Sequence, residues 1–233
     1  MVRIFRFAQS STLSRLKSEI RFSAVTLAVM VLLVSCGGGE GAPVFDEPSA
    51  REAFERGVES RNMGLPQRAF NELNEALRMN PSMAEAYAAR STIYLIYGDH
   101  PNAIADLNRA LRLDDDLAIA YNYRGLIFAD VNDVESALLN YTKAIQLDPS
   151  LTEAYLNRAE AYLESRDVNS AIEDLTSAIE TEPERAAIYL VRGQLRLTVG
   201  QLDMAAADME QVLALTDDEQ MVVNAKEILS LLR

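Results

Sequence analysis

Arginine stands at positions 56, 90, 124, 158 and 192, so one residue type recurs every 34 residues, five times, without a slip. A fixed interval of this length constrains the fold more than any bulk property does. Each copy must be one supersecondary unit, too small to bury a core alone, that buries its apolar face against its neighbours. Other columns keep the same step. Ala69, Ala103, Ala137, Ala171 and Ala205 share one phase, and Ala76, Ala110, Ala144, Ala178 and Val212 follow seven residues later. Ala53, Tyr87, Tyr121, Tyr155 and Tyr189 open the units, and the small residues Gly57, Ser91, Gly125, Ala159 and Gly193 come four positions on. Pro81, Pro149 and Pro183 stand near the ends, with Asp115 and Asp217 in their place in units two and five. The units run 50–83, 84–117, 118–151, 152–185 and 186–219, with no insertion. Abundant alanine, leucine and glutamate make helix the expected element.

These columns resemble the tetratricopeptide repeat, with an aromatic, a small residue, two alanines and a proline at these phases. The resemblance covers residues 50–219. It implies an all-α fold, a right-handed α-solenoid of five helix-turn-helix units. The turns inside units are visible in "YGDHP" (97–101), "VNDVE" (131–135) and "SRDVN" (165–169). Each proline ends a second helix. Departures gather at the ends, as expected where one face lacks a neighbour: Ala53 and Ser60 replace aromatics in unit one, and Arg196 does so in unit five. Residues 220–233 place Met221, Ala225, Ile228 and Leu232 on one helical face and read as a capping helix.

In such repeats the phase of the five arginines usually holds leucine and points into the packed side of the first helix. A buried guanidinium needs a partner, because an unpaired buried charge is costly. Sixteen residues after each arginine stand Glu72, Asp106, Asn140, Asp174 and Asp208. A ladder of pairs is therefore expected along the array, joining Arg56, Arg90, Arg124, Arg158 and Arg192 to these residues, either within units or between neighbours. The competing reading lines a pocket for an anionic ligand with the arginines. The acidic residues keep the same period, which a ligand site does not require.

The two ends of the chain differ in charge. Residues 1–35 carry Arg3, Arg6, Arg15, Lys17 and Arg21 against Glu19, a net +4, while the whole chain is at -13, leaving -17 for the rest. Residues 22–35, "FSAVTLAVMVLLVS", are nearly continuously apolar and shorter than the roughly 20 residues that span a bilayer. A basic segment, a short apolar core and small residues at its end read as a secretory signal over 1–35. "LVSC", Leu33 to Cys36, resembles the bacterial lipobox, and Cys36 is the only cysteine. That resemblance implies cleavage before Cys36, lipid (palmitate-type) modification of its thiol, and a Gly-rich tether over 36–48. The competing reading is an uncleaved anchor with a cysteine at its end by chance. The basic leader is long for a lipoprotein signal, which also suits a start codon further downstream. Gly37, where aspartate would signal inner-membrane retention, points by the family rule to the outer membrane facing the periplasm in a cell that has one.

The acidic body argues against nucleic acid and against adsorption to anionic lipid. In the resembled family the first helices line a concave groove. The groove phases here hold Phe54, Leu95, Asn122, Leu126, Leu156, Glu160, Leu163, Leu190 and Leu197, with Arg61, Asp130 and Glu164 beside them. An apolar stripe with acidic edges suits a peptide or helix with hydrophobic anchors and basic flanks. A clamp for a C-terminal carboxylate is excluded, because Lys143 and Lys226, the only lysines after residue 35, lie off the groove phases. No nucleotide loop, dinucleotide turn or Ser-His-Asp set is present, and His100 sits in a turn. "DDD" (114–116) and "DDE" (217–219) lack calcium-loop spacing and read as helix N-caps, not a metal site. No enzyme, cofactor or metal is expected. The leading expectation is a lipid-anchored envelope scaffold for a protein or peptide partner, and the alternative is a structural lipoprotein that associates with its own copies.

Overall fold

The computed structural model describes residues 46–232. The expected signal over 1–35, the lipobox and Cys36 lie outside the described residues. The described chain is eleven helices, with no strand among them. They are α1 (Glu47–Asn62), α2 (Pro66–Met79), α3 (Ala84–Ile96), α4 (His100–Leu113), α5 (Ala118–Asp130), α6 (Val134–Leu147), α7 (Thr152–Glu164), α8 (Val168–Thr181), α9 (Ala186–Thr198), α10 (Leu202–Leu215) and α11 (Glu219–Leu231). Helix α1 begins inside the segment read as tether, because Asp46 caps it and Pro48 stands in its first turn.

The helices pack as five consecutive pairs, and each second helix also packs on the first helix of the next pair. In succession α1, α3, α5 and α7 touch one another, whereas the second helices do not. The stack therefore curves toward the first helices, and the protein is an α-solenoid. Helix α11 lies against α10 and α9 and covers the last pair with Ala225, Met221 and Ile228.

The alanine columns explain the tight pairing. Ala69, Ala103, Ala137, Ala171 and Ala205 are wholly buried, as are Ala76, Ala110, Ala144, Ala178 and Val212. The small-residue column lets a large side chain from the second helix cross under the first. A Cβ added at Gly125 would lie 2.5 Å from Cε1 of Tyr141, and one at Gly57 would lie 2.8 Å from Cγ of Leu73. Side chains at these contacts cannot interpenetrate, so the glycine is what brings the helices together.

One turn geometry recurs inside every pair. Gly64, Gly98, Asn132, Arg166 and Gly200, each 34 residues apart, hold φ of 72°, 72°, 62°, 66° and 78°. The left-handed conformation is free for glycine, tolerated by asparagine and costly for arginine. The following Asp99, Asp133 and Asp167 cap the second helices, accepting the N–H of Asn102, Ser136 and Ser170. Between units, Asn80, Asp114 and Asp148 each accept the N–H two residues on, at 3.0, 3.1 and 2.9 Å. This corrects the reading of "DDD" as an N-cap: Asp114 closes the link, and the cap of α5 is Leu117, with no side-chain bond. In "DDE", Asp218 caps α11 by accepting the N–H of Met221 at 2.9 Å.

Arg166 is exposed and its left-handed cost is about 1–2 kcal/mol, of which the greater unfolded freedom of glycine cancels about 0.5–1 kcal/mol. Arg166→Gly is therefore expected to stabilise the fold by about 0.5–1 kcal/mol. Urea unfolding followed by circular dichroism checks the sign. A lower midpoint than that of the parent would refute the strain.

Candidate functional site

Each arginine from Arg90 onward enters the joint between two units. Arg90 donates from Nε and Nη2 to both oxygens of Asp106, each at 2.7 Å. Arg158 grips Asp174 in the same way at 2.8 and 2.6 Å, and Arg192 grips Asp208 at 3.1 and 2.6 Å. The pairs lie within units. The third nitrogen faces backward: Nη1 of Arg90, Arg158 and Arg192 donates to Asn74, Thr142 and Thr176 of the preceding unit. The tyrosine column stacks on the same cations, with Tyr87, Tyr121, Tyr155 and Tyr189 rings 5.0–6.0 Å from Arg90, Arg124, Arg158 and Arg192. That contact was not read from the sequence, although the two columns three residues apart carried it. The fork of a guanidinium matches this set of partners and the point charge of a lysine does not.

Two rungs differ. Arg124 donates one bond, from Nε to Asn140 Oδ1 at 2.7 Å. Burial lowers its pKa, against a raising contribution from Tyr121. The hydrogen bonds of Asp174, by contrast, hold the Arg158 pKa above its ordinary value in spite of burial. Unit one corrects the expected pairing of Arg56 with Glu72. Arg56 is largely exposed and bonds Glu75 at 3.1 Å, while Glu72 accepts from Ser60 at 2.5 Å and Arg68 at 3.0 Å. Ser60 stands there in place of an aromatic, Ala53 supplies no ring, and no unit precedes it among the described residues. At the other end Arg196, also in an aromatic's place, shares Asp208 with Arg192 at 2.9 Å.

The inner face of the solenoid holds a cavity of about 310 Å³ between α3, α5, α6 and α7. Its lining includes Leu95, Leu126 and Glu160 of the expected groove set, with Asp130 and Glu164 beside them. Ala129, Ala161, Asn157 and Tyr141 complete it. Tyr141 belongs to a second helix, and sequence phase alone hides it. It reaches the groove because Gly125 lets its ring pass beneath α5. Burial, and then the charges of Glu160 and Glu164, raise its pKa well above the usual phenol value. It therefore stays a neutral hydroxyl. His100 Nε2 lies 2.6 Å from Asp130 Oδ2 at the rim. Nearer the N-terminus, Arg61 donates to the Tyr123 hydroxyl at 3.0 Å and ties α1 to α5.

Three expected groove residues are corrected. Asn122, Leu156 and Leu190 are 2%, 5% and 1% exposed and offer no surface to a partner. Asn122 accepts from Asn157 Nδ2 at 3.0 Å, a bond that joins α5 to α7. Leu156 belongs to one buried cluster with Ala171, Ile172 and Leu175 of α8 and Ile188 of α9, and Leu190 to another with Met209, Val212 and Ala225 beneath the capping helix. Phe54 and Leu163 are half-buried against neighbouring clusters, and Leu197 remains partly exposed. Among the described residues no group of three or more metal-ligating side chains occurs, and no helix is long and apolar enough to cross a membrane.

Comparison with known families matches the tetratricopeptide-repeat pattern to residues 54–118 and 156–219, and a further repeat pattern of the same kind to 125–165. No curated protein matches the chain. Similar solved structures include pilF of Pseudomonas aeruginosa, at 17% identity and a TM-score of 0.67, covering 79% of this chain and 89% of that one. PilW, described as a widely conserved type IV pilus biogenesis factor, is 17% identical with a TM-score of 0.64, covering 78% and 84%. YrrB, described as having an unusual peptide-binding site, is 17% identical with a TM-score of 0.53, covering 78% and 94%. At these identities the likeness is one of fold.

The ladder makes a thermodynamic prediction. Arg158→Leu leaves Asp174 buried without its cation and is expected to destabilise by about 3–5 kcal/mol. Adding Asp174→Leu removes the stranded charge and is expected to recover most of the loss. Equilibrium unfolding of both variants decides, and equal losses in single and double variants would contradict the pairing.

Proposed function

The chain belongs to the tetratricopeptide-repeat family, and from that premise we propose that it is a lipid-anchored scaffold of the bacterial cell envelope. It binds a protein or peptide partner on the inner face of the solenoid and serves the assembly of a complex. The carrying observation is the cavity between α3, α5, α6 and α7, where apolar and acidic side chains meet in a concave site of about 310 Å³. Sites of this shape, apolar with a few placed polar groups, favour a ligand side chain over an open surface contact. The lipobox-like "LVSC" supports the anchor. The fold likeness to PilW, described as a pilus biogenesis factor, supports an assembly role, and that to YrrB supports a peptide ligand. The anchor places the protein in the outer membrane, facing the periplasm, in a cell with two membranes. No catalytic activity is part of this reading.

A second reading, self-association, is favoured by one observation. Met63, Tyr97, Val131 and Val199 stand at one phase on the turn edge and are 62%, 51%, 51% and 39% exposed. Ile96, 59% exposed, adjoins them. A row of exposed apolar side chains on one edge, interrupted at Ser165, suits a contact with another copy.

Cys36→Ser is expected to abolish incorporation of labelled fatty acid, and labelling that persists would refute the anchor. Capture from solubilised envelope with the full chain, beside a Leu95→Glu/Leu126→Glu variant of unchanged circular dichroism, tests the groove. Loss of a captured protein with the variant is expected. Equal capture by both would move the site off the inner face. A mass of two subunits in light scattering, returned to one by Tyr97→Asp/Val131→Asp, would favour self-association.

A further inference from the structure

Within the peptide-binding reading just given, on which this rests, we infer that the cavity is the subsite for one aromatic side chain of the partner. Each wall residue has counterparts 34 positions away, and three of them are reduced in size at this joint. Ala129 stands where neighbouring units carry Leu95 and Leu163, and Ala161 where they carry Ile127 and Leu195. Asn157 stands where they carry Tyr123 and Val191. Residues that are small where their counterparts are large leave volume unfilled. One joint earlier, the same place is taken by a ring of the chain itself. Tyr123, the counterpart of Asn157, belongs to one cluster with Leu95, Leu107 and Ile127, the counterparts of Ala129, Tyr141 and Ala161. Its hydroxyl accepts from Arg61 Nη1 at 3.0 Å, and Arg61 is the counterpart of Leu95. The fold therefore already holds a phenol at this phase in one joint, and the next joint is left without one.

The walls suit a ring. Leu95, Leu126, Ala129 and Ala161 offer apolar contact. Tyr141 is larger than Leu107 and Leu175 at its own phase, and it gives a second ring an aromatic surface to meet. The Asn122–Asn157 bond fixes α5 against α7, so the space keeps its width without a ligand. The carboxylates around it are already engaged. His100 holds Asp130 at 2.6 Å, and Glu160 and Glu164 each have an interaction of their own within the chain. What the place lacks, beside its counterpart, is a ring and not a charge. The volume, about 310 Å³, admits one aromatic side chain and excludes a folded element. Aromatic side chains seated in pockets are the commonest anchors of protein interfaces.

The test is a selection from a random twelve-residue phage-displayed peptide library on the full chain in detergent. The winning peptide is then synthesised with its aromatic residue intact and with alanine in that place. Fluorescence anisotropy measures both against the parent protein and against Asn157→Tyr, which gives the cavity the ring of the neighbouring unit. The expected result is a winner carrying an aromatic residue, a loss of at least tenfold from either change alone, and little further loss from both together. Ala129→Leu narrows the cavity from another wall and leaves the Asn122–Asn157 bond intact, so the same loss is expected of it even if Asn157→Tyr does not fold. Losses that multiply independently, or a winner with no aromatic residue, would overturn the subsite and leave peptide binding standing. A library that yields no binder would overturn the peptide-binding reading and this inference with it. A dimer of the parent that neither Asn157→Tyr nor Ala129→Leu can form would assign the cavity to a second copy and overturn the partner peptide.

Discussion

Everything in this solenoid is arranged around a guanidinium that has been taken out of water. From unit two onward, each joint carries an arginine at a phase that usually holds leucine in such repeats, and three of the four are hydrogen-bonded from several directions. Both oxygens of a carboxylate come from its own unit at Arg90, Arg158 and Arg192, one oxygen comes from the unit before, and a tyrosine covers the face. Hydrogen bonds to charged groups contribute about 1.5–3 kcal/mol each when formed. A leucine at the same place would accept many neighbours at many angles. A fork with fixed donors accepts few, so the ladder sets the register of three helices at once.

Much of this was legible because a period is a stronger signal than a propensity. Five copies in phase define the pairs of helices, the buried alanine columns and the partners of Arg90, Arg158 and Arg192, since residues at one phase meet one environment. What phase cannot report is whether a neighbour exists or how large it is. Arg56 turns to Glu75, and no unit precedes it among the described residues. Leu190 is lost beneath α11, and Leu156 into the cluster between α7, α8 and α9, although the one phase they share was read as facing the groove. Tyr141 enters the cavity for the opposite reason. Its column holds leucine or methionine in other units, and only a longer side chain opposite a glycine reaches through. The residues around Cys36 belong to a different kind of legibility, that of a short address, and they lie outside the described residues.

The cavity is a product of the same repetition broken in one place. Three units contribute to it, yet its character comes from departures: Tyr141 for an aliphatic residue, Asp130 at a helix end, and two glutamates a turn apart on α7. Function in a repeat array resides where copies differ, because what all copies share is already committed to stacking.

The departure at Arg124 lies under that same place. Its partner is the neutral Asn140, and it sends no bond back to the unit before, unlike Arg90, Arg158 and Arg192. In a stack whose cohesion is a sum over nearest-neighbour joints, the joint between units two and three goes without the backward guanidinium bond of the others and is tied instead at its rim, where His100 meets Asp130. A solenoid behaves as a spring, and at the coil that carries the cavity this one is fastened differently from its other coils.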